Sequence, residues 1–276
     1  GVDYTHKLLG GAGTAEAYQQ AIKNAGGPYK GFPTTVVTSG RDFISDHPDF
    51  SFGYDDNPIE SDLVYELPGG AYPTGRGTLL ASYIHQLAPA AKIRAGKMYN
   101  IMAENGEIAS LAGPDHAILS RAMEWALDPN GDGDLSDKAD VILLDFNIYF
   151  HGIYSQKDNG GDQLSLYAAA IQRAASVGSL LVVAQGEFES SNRFATPYQA
   201  TAPSALSVGS AYTDGNMIKI DANSPHGPVR GELDLLKPDV IAQARDITGA
   251  AVGTGEATAT AQGSIYAAAH AAATAA

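Results

Sequence analysis

Gly263-Ser264-Ile265-Tyr266-Ala267-Ala268-Ala269-His270-Ala271-Ala272-Ala273 is the stretch whose reading decides the fold. A glycine turn opens a run dominated by alanine, the best helix former. A helix with almost no side chains can approach its neighbours closely, so this one reads as a core helix and not a surface one. Outward from it, strand and helix patterns alternate. Thr35-Val36-Val37-Thr38 is a β-branched strand. An apolar helix from Thr78 to Leu87 precedes a strand over Ala91–Met98. The segment Asp115–Leu127 carries Ile118, Leu119, Met123 and Ala126 at helical spacing. Asp140–Phe146 is an almost continuously apolar strand of the kind buried on both faces. An alanine-rich helix over 163–177, closed by Gly178, leads to a strand from Leu180. Alternation of this kind implies a three-layer α/β fold, a mainly parallel sheet with helices on both faces.

With 276 residues, 44% apolar and 17% charged, the chain is long enough for one large domain with a buried core. No linker or internal repeat marks a second domain, so residues 1–276 read as one. The formal charge of −14 and the lack of any basic cluster exclude nucleic acid and an anionic membrane as partners. No cysteine is present, which excludes disulfides, thiol chemistry and thiolate metal sites. No apolar run reaches the roughly 18–20 residues of a membrane span, so no membrane insertion is expected.

Several segments resemble, in order, the motifs of subtilisin-like serine proteases (subtilases). The opening Gly1-Val2-Asp3-Tyr4-Thr5-His6 resembles the end of that family's aspartate signature. Thr74-Gly75-Arg76-Gly77-Thr78 resembles its Gly-His-Gly-Thr-His segment. Leu180–Glu187 resembles Val-Val-Ala-Ala-Gly-Asn, Leu236-Lys237-Pro238-Asp239 is a close match, and Gly263–Ala273 resembles the nucleophile helix. The resemblance implies a subtilisin-like fold. It also sets expectations position by position. The histidine falls at Arg76, the oxyanion-binding asparagine at Glu187 and the serine at Ile265; the aspartate would lie two residues before Gly1, with the first central strand. Arginine cannot serve as a base near neutral pH, and an ionised carboxylate accepts but does not donate. At the family's substrate cleft, Asp145, Phe146 and Asn147 replace the usual residues.

Asp128-Pro129-Asn130-Gly131-Asp132-Gly133-Asp134-Leu135-Ser136-Asp137 sets oxygen ligands Asp128, Asn130, Asp132, Asp134 and Asp137 along a glycine-bearing loop. That pattern suits a hard cation, and Ca²⁺ is the expected cofactor. Ala139 sits where an EF-hand has its bidentate glutamate, so the other reading is a solvated acidic turn.

In subtilisin, losing the serine or histidine alone costs about 10⁶ in turnover, and losing one oxyanion donor costs about 10²–10³. On those figures, which belong to that enzyme, the resemblance implies a pseudoprotease: a family scaffold serving a binding or structural role, with a polypeptide as the possible ligand. The alternative is a serine endopeptidase with an atypical site built on Ser264, or an excised fragment of one. Arg76 and Glu187 are expected to pair across the old cleft. Family habit implies export, secreted or periplasmic.

Overall fold

A computed structural model describes residues 1–23, 29–44, 55–60, 65–67, 70–72, 75–98, 100–104, 107–112, 116–145, 162–186, 196–229 and 235–276. In chain order its regular elements are α1 (Ala15–Lys23), β1 (Val37–Asp42), β2 (Tyr65–Leu67), β3 (Gly70–Tyr72), α2 (Arg76–Leu87), β4 (Ile93–Lys97), β5 (Asn100–Glu104), β6 (Glu107–Ala112), α3 (His116–Leu127), β7 (Val141–Leu144), α4 (Asp162–Ser176), β8 (Leu180–Ala184), β9 (Ala205–Asp214), β10 (Met217–Ile220), β11 (Val240–Gln243), β12 (Ile247–Ala250), β13 (Thr258–Ala261) and α5 (Ser264–Ala275). They fall into two compact units, one of residues 1–122 with 248–259, the other of 123–247 with 260–276.

In the first unit β1 and β4 run parallel, Gly40 beside Ala95 and Asp42 beside Lys97. One face of this pair joins a core of Tyr4, Leu9, Tyr18, Val37, Ala81 and Ala95. Helix α1 contributes Ala17, Tyr18 and Ala21, the i, i+1, i+4 spacing of a buried helical stripe. Tyr4 tilts against Phe32 at 45°, ring centroids 4.5 Å apart, a favourable aromatic arrangement. Two antiparallel hairpins, β2–β3 and β5–β6, also belong to this unit.

The second unit is built on a mainly parallel sheet in which β7 pairs β8, β8 pairs β9, and β9 also takes β11 in parallel and β10 antiparallel. Leu181, Val182, Val183 and Ala184 of β8 are all fully buried, so both faces of that strand are sealed. Helix α5 packs along β7, β8, β9 and β11, while α4 packs on β8. The alanine run explains this reach, because Ala267, Ala268 and Ala269 are fully buried and let the helix backbone lie close to the strands. The fold class is thus α/β, as the sequence implied.

Sequence and structure part company in three places. The β5–β6 hairpin was not expected. The small residues of 249–262 suggest a loop from sequence, yet they hold the end of β12 and all of β13, which pair with each other. Thr-Ala-Thr-Ala alternates, but only with small side chains, and Ile-Thr-Gly-Ala carries one large apolar residue, so neither segment is strongly marked as a strand before it pairs. In β7, only Leu144 is buried, with Val141, Ile142 and Leu143 half-buried.

Candidate active site

Helix α2 begins with Gly75 in the left-handed region at φ 94° and Arg76 as its first residue. A Cβ on Gly75 would sit 2.7 Å from Val252 Cγ1, and one on Gly77 would sit 2.0 Å from the Gly1 carbonyl oxygen. Both glycines are therefore required by close packing. The amides of the first turn are capped by a distant carboxylate: Gly77 N donates to Glu60 Oε1 at 3.1 Å and Thr78 N to Oε2 at 2.7 Å. A negative charge is well placed there, opposite the positive end of the helix dipole. Arg76 itself is exposed.

Asp3 lies beside this turn and is fully buried. Its amide donates to Thr78 Oγ1 at 2.8 Å, and its carboxylate accepts from the Thr5 amide (3.0 Å), the Thr5 hydroxyl (2.6 Å) and the Gly253 amide (2.9 Å). His6 is also fully buried. Its Nδ1 accepts from the Leu8 amide at 3.1 Å, which assigns the proton to Nε2, 2.9 Å from the Ala257 carbonyl. Neither is the exposed turn residue that their sequence position suggests; together they tie the chain's opening to residues 253–257.

In the second unit, Gly263 (φ 139°) precedes α5, whose first residues are Ser264 and Ile265. Ser264 is 3% exposed and Ile265 8% exposed, so an apolar side chain fills the position to which the resemblance assigned the serine. Asp145 follows β7 and is half-buried. Glu187, Phe146 and Asn147 lie outside the described residues, and with Glu187 goes the expected pairing to Arg76. Just before Glu187, Gly186 takes φ 90° and Gln185 is fully buried. The Gln185 amide group donates to Thr196 Oγ1 at 2.9 Å, while its oxygen accepts from the Ser207 hydroxyl.

The acidic loop is organised around its own backbone. Asp128 accepts from the amides of Gly131 (2.8 Å), Asp132 (3.1 Å) and Gly133 (2.9 Å). Asp134 accepts from the Ser136 amide and hydroxyl, both at 2.9 Å, which hold its carboxyl below the usual carboxylate range. Asp132 accepts from the Asp134 amide at 2.8 Å and from the Asn130 side chain at 3.0 Å. Among the described residues no three His, Asp or Glu side chains are gathered as a cation would need. The side-chain oxygens of Asp128, Asn130, Asp132 and Asp134 are engaged by groups within the loop, while Asp137 Oδ1 is buried without a hydrogen-bond partner.

The model of the subtilase family matches residues 35–276. The chain belongs to the subtilase family. Among solved structures, this subtilase resembles a psychrophilic protease with a TM-score of 0.54 at 17% identity, over 85% of this chain and 74% of that one. It also resembles the prenylagaramide maturation protease PagA (TM-score 0.46, 19% identity, 75% of this chain and 64% of that one). A third similar structure is a mutant protease domain of PatA (TM-score 0.44, 19% identity, 68% and 55%). The chain spans just under two thirds of the PagA chain. No curated protein matches it.

Two parts of this subtilase's scaffold escaped sequence reasoning. Glu60 sits 17 and 18 residues before the two amides it caps, in an acidic loop where nothing distinguishes it. The Gln185–Thr196–Ser207 chain joins residues far apart in sequence, although a glutamine ending an apolar strand is a signal that a partner must be found for it.

Proposed function

We propose that this subtilase-family chain has kept the scaffold and lost the proteolytic chemistry, and that it binds polypeptide without cleaving it. The observation that supports this most is the start of α5, where the glycine frame persists and Ile265, an apolar and nearly buried side chain, stands in the second helical position. Arg76 at the first position of α2 supports it from the other unit, since a guanidinium neither takes up a proton nor attacks a carbonyl. Around Arg76 the helix start is tightly built, with left-handed Gly75, the Glu60 cap and the buried Asp3 packed about it.

The second reading, a serine endopeptidase working through Ser264, rests on that hydroxyl standing beside the nucleophile's position. Ser264 is 3% exposed, which argues against substrate reaching it. A fluorophosphonate probe with mass-spectrometric mapping separates the two. The expected result is no stoichiometric adduct and no casein hydrolysis above a buffer control. A stoichiometric adduct on Ser264 or any other serine overturns the proposal. Export from the cell accompanies this reading by family habit. Among the described residues no helix is long and apolar enough to cross a membrane.

A further inference from the structure

The β1–β4 pair has two unlike faces. After the register irregularity between Val37 and Ser39, alternation puts Gly40 and Asp42 with Ala95 and Lys97 on the core side. There Asp42 and Lys97 are both buried and pair with each other at 2.9 Å. Ser39 and Arg41 fall on the opposite face, with Ser39 directly beside Arg94 and Arg41 beside Gly96. Without the extra residue in β1, Ser39 would share the face of Val37. Bulges of this kind redirect side chains and are common next to binding and active sites.

On this second face Ser39 Oγ, Arg41 Nε and Arg94 Nη1 are buried atoms with no hydrogen-bond partner. Buried polar atoms are nearly always partnered, and each exception calls for an explanation. Arg41 Nε lies 3.6 Å from Asp56 Oδ1, an exposed carboxylate beyond hydrogen-bond reach. Lys92 is on the same strand face as Arg94 and spends its ammonium on the Thr35 carbonyl at 3.0 Å. In a chain with only 17 basic residues against 31 acidic ones, a face on which two guanidiniums are aligned with a hydroxyl is unusual.

We propose that the Ser39, Arg41 and Arg94 face of the β1–β4 ladder is a binding site for a phosphate-type oxyanion. Neighbouring strands lie about 4.8 Å apart and alternate residues about 7 Å apart, so the backbones at Ser39, Arg41 and Arg94 are close enough for their side chains to serve one tetrahedral group. Guanidinium forks match phosphate oxygens in geometry and charge, and the serine hydroxyl supplies a third donor from another direction. A planar carboxylate offers two oxygens in one plane and satisfies that set less well. The site is independent of the proteolytic positions and of the reading given to them.

Isothermal titration of inorganic phosphate into the intact chain tests the assignment, with acetate as the comparison anion and phenyl phosphate as an ester probe. The expected result is saturable binding of one phosphate per chain. Arg94→Ala should weaken it roughly tenfold, and Ser39→Ala and Arg41→Gln by smaller factors. Tighter binding of phenyl phosphate than of inorganic phosphate assigns the group to an organic phosphate, and equal binding to the free ion; both support the site. Arg94 Nη1 has no protein partner to lose, and circular dichroism confirms that the variants fold; if Arg94→Ala does not, Ser39→Ala and Arg41→Gln carry the comparison. Absence of saturable binding, affinity unchanged in the variants, or acetate binding as tightly as phosphate overturns the proposal.

Discussion

The Tyr4 hydroxyl donates to Asn57 Oδ1 at 2.8 Å and accepts from the Tyr29 amide at 3.1 Å, with the whole side chain buried. Burial, opposed in part by the Tyr29 amide, pushes its pKa up to about 12. The neutral form is favoured in the folded state, so Tyr4's contribution is complete below the unfolded value of about 10 and lost as pH rises through about 12. Alkaline unfolding followed by circular dichroism should therefore steepen in that window, and Tyr4→Phe should flatten it; an unchanged profile would refute the assignment. Glu60 gives a second test. Glu60→Gln removes the charge from a cap that holds two amides and a hydroxyl, and should cost about 1–2 kcal/mol in urea unfolding. Asp3 and His6 show why such residues are hard to read in advance. Polar residues near a turn look solvent-exposed until the segment that buries them, here residues 253–257, is known.

Helix starts were legible from sequence because glycine and the first apolar turn mark them locally. The same glycines do different work, however, and only packing separates them. Gly75 has φ 94° and a Cβ there would meet Val252 Cγ1 at 2.7 Å, whereas Gly133 has φ 82° with nothing within 4 Å. Gly133→Ala should cost only the left-handed strain, about 1 kcal/mol, and Gly75→Ala should cost at least twice that. Equal losses in thermal or urea unfolding would contradict this. The acidic loop is also an element held by its own backbone, and Asp128→Ala leaves three solvent-exposed amides to water, which should lower stability by about 1 kcal/mol without calcium. A calcium-dependent rise in the native chain's melting temperature, lost in Asp128→Ala, would show that the loop takes the ion.

Across the molecule, a formal charge of −14 means that acid first relieves repulsion and then removes the carboxylates that folding uses. Asp221 is held below the usual carboxylate range chiefly by Arg245, whose Nε donates to it at 2.9 Å while its guanidinium also stacks 3.7 Å above the Tyr212 ring. Glu256 is lowered in the same way by Lys7. A depressed pKa contributes its full stabilisation above the ordinary carboxylate value near 4, and that contribution is lost as pH falls from there through the lower folded-state value. Arg245→Gln should therefore reduce the loss of stability between neutral pH and pH values below about 4, read from urea midpoints across pH. An undiminished slope would show that Asp221 does not contribute.

In the sequence by itself, periodicity, glycine placement and motifs spanning a few residues were enough to give the α/β class, the main helices and the parallel strands, and the family, but not the β5–β6 and β12–β13 pairs. The sequence also determined which side chains occupy Arg76 and Ile265, since identity at a motif position needs no coordinates. Only the tertiary structure decided that Asp3 and His6 are buried anchors, that Glu60 caps α2, that residues 247–261 form a strand pair, and that one register irregularity sets Ser39 beside Arg94. The physical reason is the same for each. These facts depend on groups that meet across long stretches of chain, where burial and pairing override any preference a local segment carries.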